Sequence, residues 1–193
     1  MNTIEIENQR YGRNKDTLVN STYINSGEYR RKFDSVTDNN DVNRTLYSKA
    51  KEMLEHRSGT LFEDMYWIDG NTGEVVAKEI TSSAARTVEY SATTKKAISS
   101  YEKNRIIAIH THPGSMPPSV ADLNSCFSNG YKCGCIVCHN GKLFVYTSSE
   151  EINERLYHMY LQSFLNDGET EYDAQINALN ELKRNCKIDF WEV

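Results

Sequence analysis

An α/β fold is what this sequence predicts, and three observations carry the prediction. Short β-branched runs such as Ile106-Ile-Ala-Ile109 have the length and composition of buried strands. Longer stretches repeat their apolar residues at helical spacing, as Val42, Leu46, Ala50, Met53 and Leu54 do. Turn clusters, among them Asp69-Gly-Asn-Thr-Gly73 and Asn140-Gly141, separate the two kinds of segment. A chain of 193 residues has room for one domain with a proper core and some decoration.

Residues 1 to about 36 are polar, rich in Asn, Arg, Tyr and Ser, and show little periodicity. We expect residues 1–40 to be an extended arm or linker, with Tyr23, Ile24 and Tyr29 as docking points, and residues 41–193 to form the domain. A helix over 41–56 ends at Ser58-Gly59, where glycine suits a left-handed cap. His56 in its last turn is explained by the helix dipole and solvent. The next run alternates Leu61, Glu63, Met65 and Trp67 against Phe62, Asp64, Tyr66 and Ile68, which predicts a strand from Thr60 to Ile68. The turn at Asp69–Gly73 makes Glu74–Ile80 its hairpin partner. A short strand around Thr87–Tyr90 and a helix over Thr93–Glu102 then lead into Ile106–Ile109.

Beyond the central stretch, Ser119 caps a helix over 119–129 that Gly130 ends. Cys133–Cys138 and Leu143–Thr147 form a hairpin across Asn140-Gly141. Two amphipathic helices, over 150–166 and 171–185, form a C-terminal helical extension, and Ile188–Val193 alternates like a last edge strand. His139 in the hairpin loop is structural or exposed, and His158 lies on a helix surface.

The excess of 27 acidic over 22 basic residues, a net charge of −5, gives no general attraction to nucleic acid or to an anionic membrane. No stretch approaches the ~20 apolar residues of a membrane span, and the first residues lack the pattern of a signal peptide. The expectation is a soluble, cytoplasmic protein. Five cysteines, an odd number, do not suggest a disulfide framework. Cys133, Cys135, Cys138 and His139 could suggest a second zinc site, but Cys138 falls on the strand face opposite the other two thiols, which favours a core strand. Cys126 and Cys186 look like small core residues on helices.

Function concentrates where Ile106–Ile109 runs into His110-Thr-His112-Pro-Gly-Ser-Met-Pro-Pro-Ser119-Val-Ala-Asp122. Alternation puts His110 and His112 on one strand face, so that two imidazoles can grip one metal ion. Asp122, in the first turn of the following helix, can swing back toward them. Two His and one carboxylate leave a fourth tetrahedral position for water, which is how a catalytic zinc site is built. Ser-x-x-Asp alone describes only a helix cap, and a His pair alone only two surface side chains. The agreement of strand, corner and helix around all of them favours the metal.

The string His110-x-His112-Pro113-x5-Ser119-x-x-Asp122 resembles the signature of the JAMM/MPN+ metalloprotease family, also called JAB domains. Its spacing is one residue shorter than in the eukaryotic deubiquitinase branch and looks more like bacterial and phage members. The resemblance implies a cytidine-deaminase-like mixed sheet flanked by helices, and a glutamate on an earlier strand. Glu63 is the choice for that glutamate, since Glu79 and Glu89 come too close to the histidines and Glu55 falls inside a predicted helix; Asp64 is the alternative acid, but it would face the other side of the sheet. A Glu sharing a face with Leu61, Met65 and Trp67 is also a costly placement unless it has a task. The deaminases themselves are excluded, since their His-x-Glu and Pro-Cys-x-x-Cys sets are absent.

The resemblance implies a Zn2+-dependent hydrolase that cuts a peptide or isopeptide bond in a protein or peptide substrate, a ubiquitin-like protein among the candidates. Zinc on His110, His112 and Asp122 lowers the pKa of water from ~15.7 toward ~7. Glu63 relays the proton to the leaving amine, and Ser119 hydrogen-bonds the developing oxyanion or simply caps its helix. Over a greater length, including Tyr23–Arg31 and the tail helices, the chain also looks like C-terminal portions of phage-head or mobile-element polypeptides that carry a JAB module. Two other functions therefore stand beside the protease: a non-catalytic binding or scaffold module, and a phage head-associated structural component.

Overall fold

The computed structural model describes residues 15–193. A six-stranded mixed sheet organises it, built from β1 (Met65–Asp69), β2 (Val75–Glu79), β3 (Ile106–His112), β4 (Cys133–Cys138), β5 (Leu143–Ser148) and β6 (Ile188–Glu192). The spatial order is β2-β1-β3-β4-β5-β6, with β3 and β4 parallel and every other pair antiparallel. Its seven α-helices are α1 (Ser21–Ile24), α2 (Gly27–Arg31), α3 (Asn40–Arg57), α4 (Ala92–Ser99), α5 (Val120–Asn129), α6 (Glu154–Asn166) and α7 (Glu171–Asn185). None of the described helices is long and apolar enough to cross a membrane.

Strand alternation divides the core into two layers. Tyr66, Ile68, Ile107, Ile109, Cys133, Cys135 and Val145 face α3 and the N-terminal helices. Met65, Trp67, Ile106, Ala108, Ile136, Phe144 and Tyr146 face Leu123 and Cys126 of α5 and Leu179 and Leu182 of α7. Such two-sided burial is why β3 reads as an unbroken apolar run rather than an alternating one. The three thiols of β4 fall on opposite faces as the alternation requires, Cys133 and Cys135 on one and Cys138 on the other.

Parallel pairing of β3 and β4 requires a crossover, and α5 supplies it. Gly130 ends α5 in left-handed backbone at φ 65°, which returns the chain at once into β4. Gly134 serves another purpose: a Cβ there would lie 2.0 Å from Cζ of Tyr146, whose ring packs directly on the glycine backbone. Gly134→Ala is therefore expected to destabilise the fold by about 1–3 kcal/mol through overpacking. Urea denaturation would measure this, and an unchanged midpoint would show that the Tyr146 ring moves aside freely.

Several expectations change in the fold. Of the polar arm expected over 1–40, residues 1–14 lie outside the described residues, and the remainder is folded onto the body. Asn20 and Ser26 cap α1 and α2, and Ile24, Tyr29 and Phe33 are buried beside Tyr47 of α3. Helices of four and five residues are too short to show periodicity, so only their aromatic residues hinted at docking. The strand expected from Thr60 begins at Met65, because residues 60–64 form no continuous ladder: Phe62 makes an isolated bridge to Ala85, and Asp64 bonds to Thr111. Residues 87–90 form no strand and belong to a loop between β2 and α4. The helix expected from 150 starts at Glu154, after its Asn153 cap. Of the two alternatives for His139 the structural one holds, since it is buried with Nδ1 donating to the carbonyl of Thr17 at 2.7 Å, and Cys186 packs against the core as expected but as the C-cap of α7.

Candidate metal centre

β3 lies between β1 and β4, so its end is fixed from both sides. His110 and His112 leave it on the face shared with Ile106 and Ala108, while Thr111 points the other way. Beyond the strand, Ser115 adopts left-handed backbone at φ 57°. Its N–H donates to the carbonyl of His112, and its Oγ accepts the N–H of Asn140. The corner so held brings the Met116 carbonyl 2.9 Å from Nδ1 of His112. A carbonyl can only accept, so His112 carries its proton on Nδ1 and turns a bare Nε2 inward.

From the other side comes the first turn of α5. The Ser119 Oγ accepts the N–H of Asp122 at 3.2 Å, and the Asp122 carboxylate accepts the Ser119 N–H at 2.8 Å, a reciprocal cap. The Ser119 hydroxyl donates to the same carboxylate oxygen at 2.7 Å. The other oxygen, Oδ1, is 3.2 Å from Nε2 of His110, and Oδ2 is 3.6 Å from Nε2 of His112. The two Nε2 atoms are 3.0 Å apart. Corners of a tetrahedron about a zinc ion stand about 3.3 Å apart when the ligand bonds are ~2.0–2.1 Å. Three donors at these separations, two imidazole and one carboxylate, fit such an ion in both chemistry and spacing.

Glu63 completes the group. Its carboxylate and the ring nitrogens of His110 and His112 offer ligand atoms that all lie within 4.8 Å of one another, a cluster able to coordinate a metal ion. Although Glu63 precedes β1 rather than lying on it, it keeps the parity of Met65 and Trp67 and so faces the histidines. It is only 7% exposed, and its carboxylate makes no hydrogen bond among the described residues. Burial raises its pKa to about 7; His110 and Arg86 pull against that rise, and Asp122 adds to it.

The same fields sort the other groups. Burial, with His110 next to it, pushes His112 down to about 4, so it stands neutral, as a ligand must. For Asp122, burial favours the neutral acid, but His110, His112 and Ser119 outweigh it and hold the carboxyl well below the usual range. Burial likewise opposes charge on His110, and Asp122 and Glu63 overcome it and raise the imidazole.

All five residues singled out from the sequence, Glu63, His110, His112, Ser119 and Asp122, thus meet at one place. The hydroxyl of Ser119 is engaged with Asp122, so its role in the structure is to hold that carboxylate. Sequence reasoning missed the brace behind the site. Asp64, buried at 1% exposure, binds Arg57 and His56 through its side chain, and its backbone exchanges bonds with Thr111, whose Oγ1 and N–H lie 3.1 Å from its N–H and carbonyl. The helix-end pair His56-Arg57 followed by a lone Asp was the available signal. His158 is exposed, as expected. No family model, no curated protein and no solved structure matches this chain.

Proposed function

We propose that this protein is a zinc-dependent hydrolase of the JAMM type that cleaves a peptide or isopeptide bond. The observation that carries the proposal is the convergence of two imidazole nitrogens and the Asp122 carboxylate, with a second, unbonded carboxylate, Glu63, beside them. His110, His112 and Asp122 would hold the ion. Bound there, zinc would supply a Lewis acid and a nucleophilic water near neutral pH.

Each residue of the chain has a distinct task. His112 is fixed in its ligating tautomer by the Met116 carbonyl, and Asp122 is fixed by Ser119. Glu63, poised near neutrality by burial, takes the proton of the attacking water and returns it to the leaving amine. Asp122 places the N-terminal end of α5, whose dipole favours negative charge, next to the carbonyl oxygen on which that charge would develop. The mixed sheet flanked by helices is a general α/β arrangement, one that a JAB/MPN domain would also need. The substrate class is a protein or peptide, a ubiquitin-like protein among the candidates, and the longer resemblance suggests a prophage- or mobile-element-associated protease.

Metal content tests the proposal directly. Purified without chelators, the protein is expected to carry about one zinc per chain, and His112→Ala and Asp122→Ala to carry almost none. Metal-free wild-type protein that also fails to take up added zinc would end the proposal.

A further inference from the structure

One cation near the site has no hydrogen-bond or ion-pair partner among the described residues. The loop between β2 and α4 is drawn over the approach to Glu63: Ala85 bridges Phe62, and the N–H of Arg86 donates to the carbonyl of Leu61 at 2.9 Å. Arg86 thereby sits across from the segment that carries Glu63. Its backbone is left-handed at φ 57°, a conformation that costs an L residue with a Cβ energy and persists where its surroundings enforce it. The enforcement is visible in Ser82, whose Oγ lies 3.1 Å from the carbonyl of Ala84 and 2.8 Å from that of Thr87 and so closes the turn that displays Arg86. Farther along, the Glu79 carboxylate accepts the Ser91 N–H and the Thr94 hydroxyl, and the Tyr90 hydroxyl meets Ser125 of α5 at 3.0 Å, so both ends of the loop are pinned.

The Arg86 side chain is exposed and makes no hydrogen bond or ion pair among the described residues. It is nevertheless close enough for its charge to act on the Glu63 carboxyl. A surface arginine usually spreads over whatever neighbours it has; this one is held by a strained turn with its five donors unused. We propose that Arg86 is a specificity-determining residue that binds a carboxylate on the leaving-amine side of the scissile bond. This rests on the hydrolase reading, because Glu63 delivers its proton to the leaving amine and Arg86 stands on the Glu63 side of the site. The planar guanidinium can take a carboxylate through two parallel N–H donors. The carboxylate is either the α-carboxylate of a terminal residue or the side chain of an Asp or Glu that follows the scissile bond.

Binding can be read without turnover. The Nε–Hε signal of Arg86, assigned by its loss in Arg86→Gln, is followed by 15N NMR during titration of the purified protein with three probes: N-acetylglycine, N-acetylglutamate α-amide with its side-chain carboxylate free, and N-acetylglycinamide. The expected result is a saturable shift with one or both carboxylates, at an affinity about tenfold or more above that of the uncharged amide. The preferred carboxylate identifies the source. Equal responses to all three probes, no response, or shifts of the same size at arginines distant from the site would overturn the proposal. Metal content, measured on the same samples, separates this failure from failure of the hydrolase reading: zinc bound with no carboxylate preference refutes the role of Arg86 alone.

Discussion

Glu63→Gln is expected to lower hydrolysis by ~10²–10⁴-fold while leaving the zinc content unchanged. The substitution keeps the shape of the side chain and removes its ability to accept and return a proton. What makes the experiment sharp is that Glu63 lies close enough to both histidines to be a metal ligand in its own right. If it were one, the amide would weaken the site and zinc would be lost with activity. If it is the base, zinc stays and only turnover falls. The geometry favours the second outcome, because Asp122 already approaches both Nε2 atoms and is held there by three contacts with Ser119. Glu63, in contrast, is buried, unbonded among the described residues and raised to about 7, as suits a group that must change protonation during a reaction near neutral pH. A scaffold protein would give a third pattern, with zinc and partner binding both unaffected by the change.

The residues of this site were legible because each stands where a local rule applies. Strand alternation fixes His110 and His112 on one face, and a helix cap fixes Asp122 beside Ser119, whatever the remainder of the chain does. Glu63 was chosen for the glutamate that the resemblance implies and was favoured by its parity with Met65 and Trp67, which survived even though its segment leaves the sheet before β1. The C-terminal helices follow from long periodic runs in the same way, whereas periodicity gave only an α/β class for the sheet and its mixed character was implied by the resemblance. The N-terminal segment was not legible, because α1 and α2 are held by Tyr23, Tyr29, Phe33 and Tyr47 meeting across the chain, and no period records such contacts. The loop over residues 81–91 was misread for a related reason. Its β-branched and aromatic residues suit a strand, yet Ser82 and the Ala85 bridge spend its backbone groups on turns.

The brace behind the site is the other part that no periodicity reveals, and removing it is expected to have the largest effect on stability. Asp64 joins Arg57 and His56 at the end of α3, and its neighbour in sequence is Glu63. Arg57 is itself buried, and its Nη2 donates to the carbonyl of Ile80, so the guanidinium has little water to turn to. Asp64→Ala would leave that cation without its counter-charge, at a cost of about 3–5 kcal/mol, a large share of the ~5–15 kcal/mol that holds a domain together. Urea denaturation of the metal-free protein would measure it, since bound zinc would mask part of the loss. The double variant Arg57→Met, Asp64→Leu discriminates between causes. If the loss comes from an unpaired buried charge, removing both charges restores most of the stability; if it comes from disrupted packing, the double variant is worse than the single. The backbone bonds between Asp64 and Thr111 survive either change, so β3 keeps its place and the histidines keep their spacing. Zinc binding should therefore persist in the double variant wherever it is folded, and a loss of zinc there would mean that the buried pair, and not the strand, sets the position of the site.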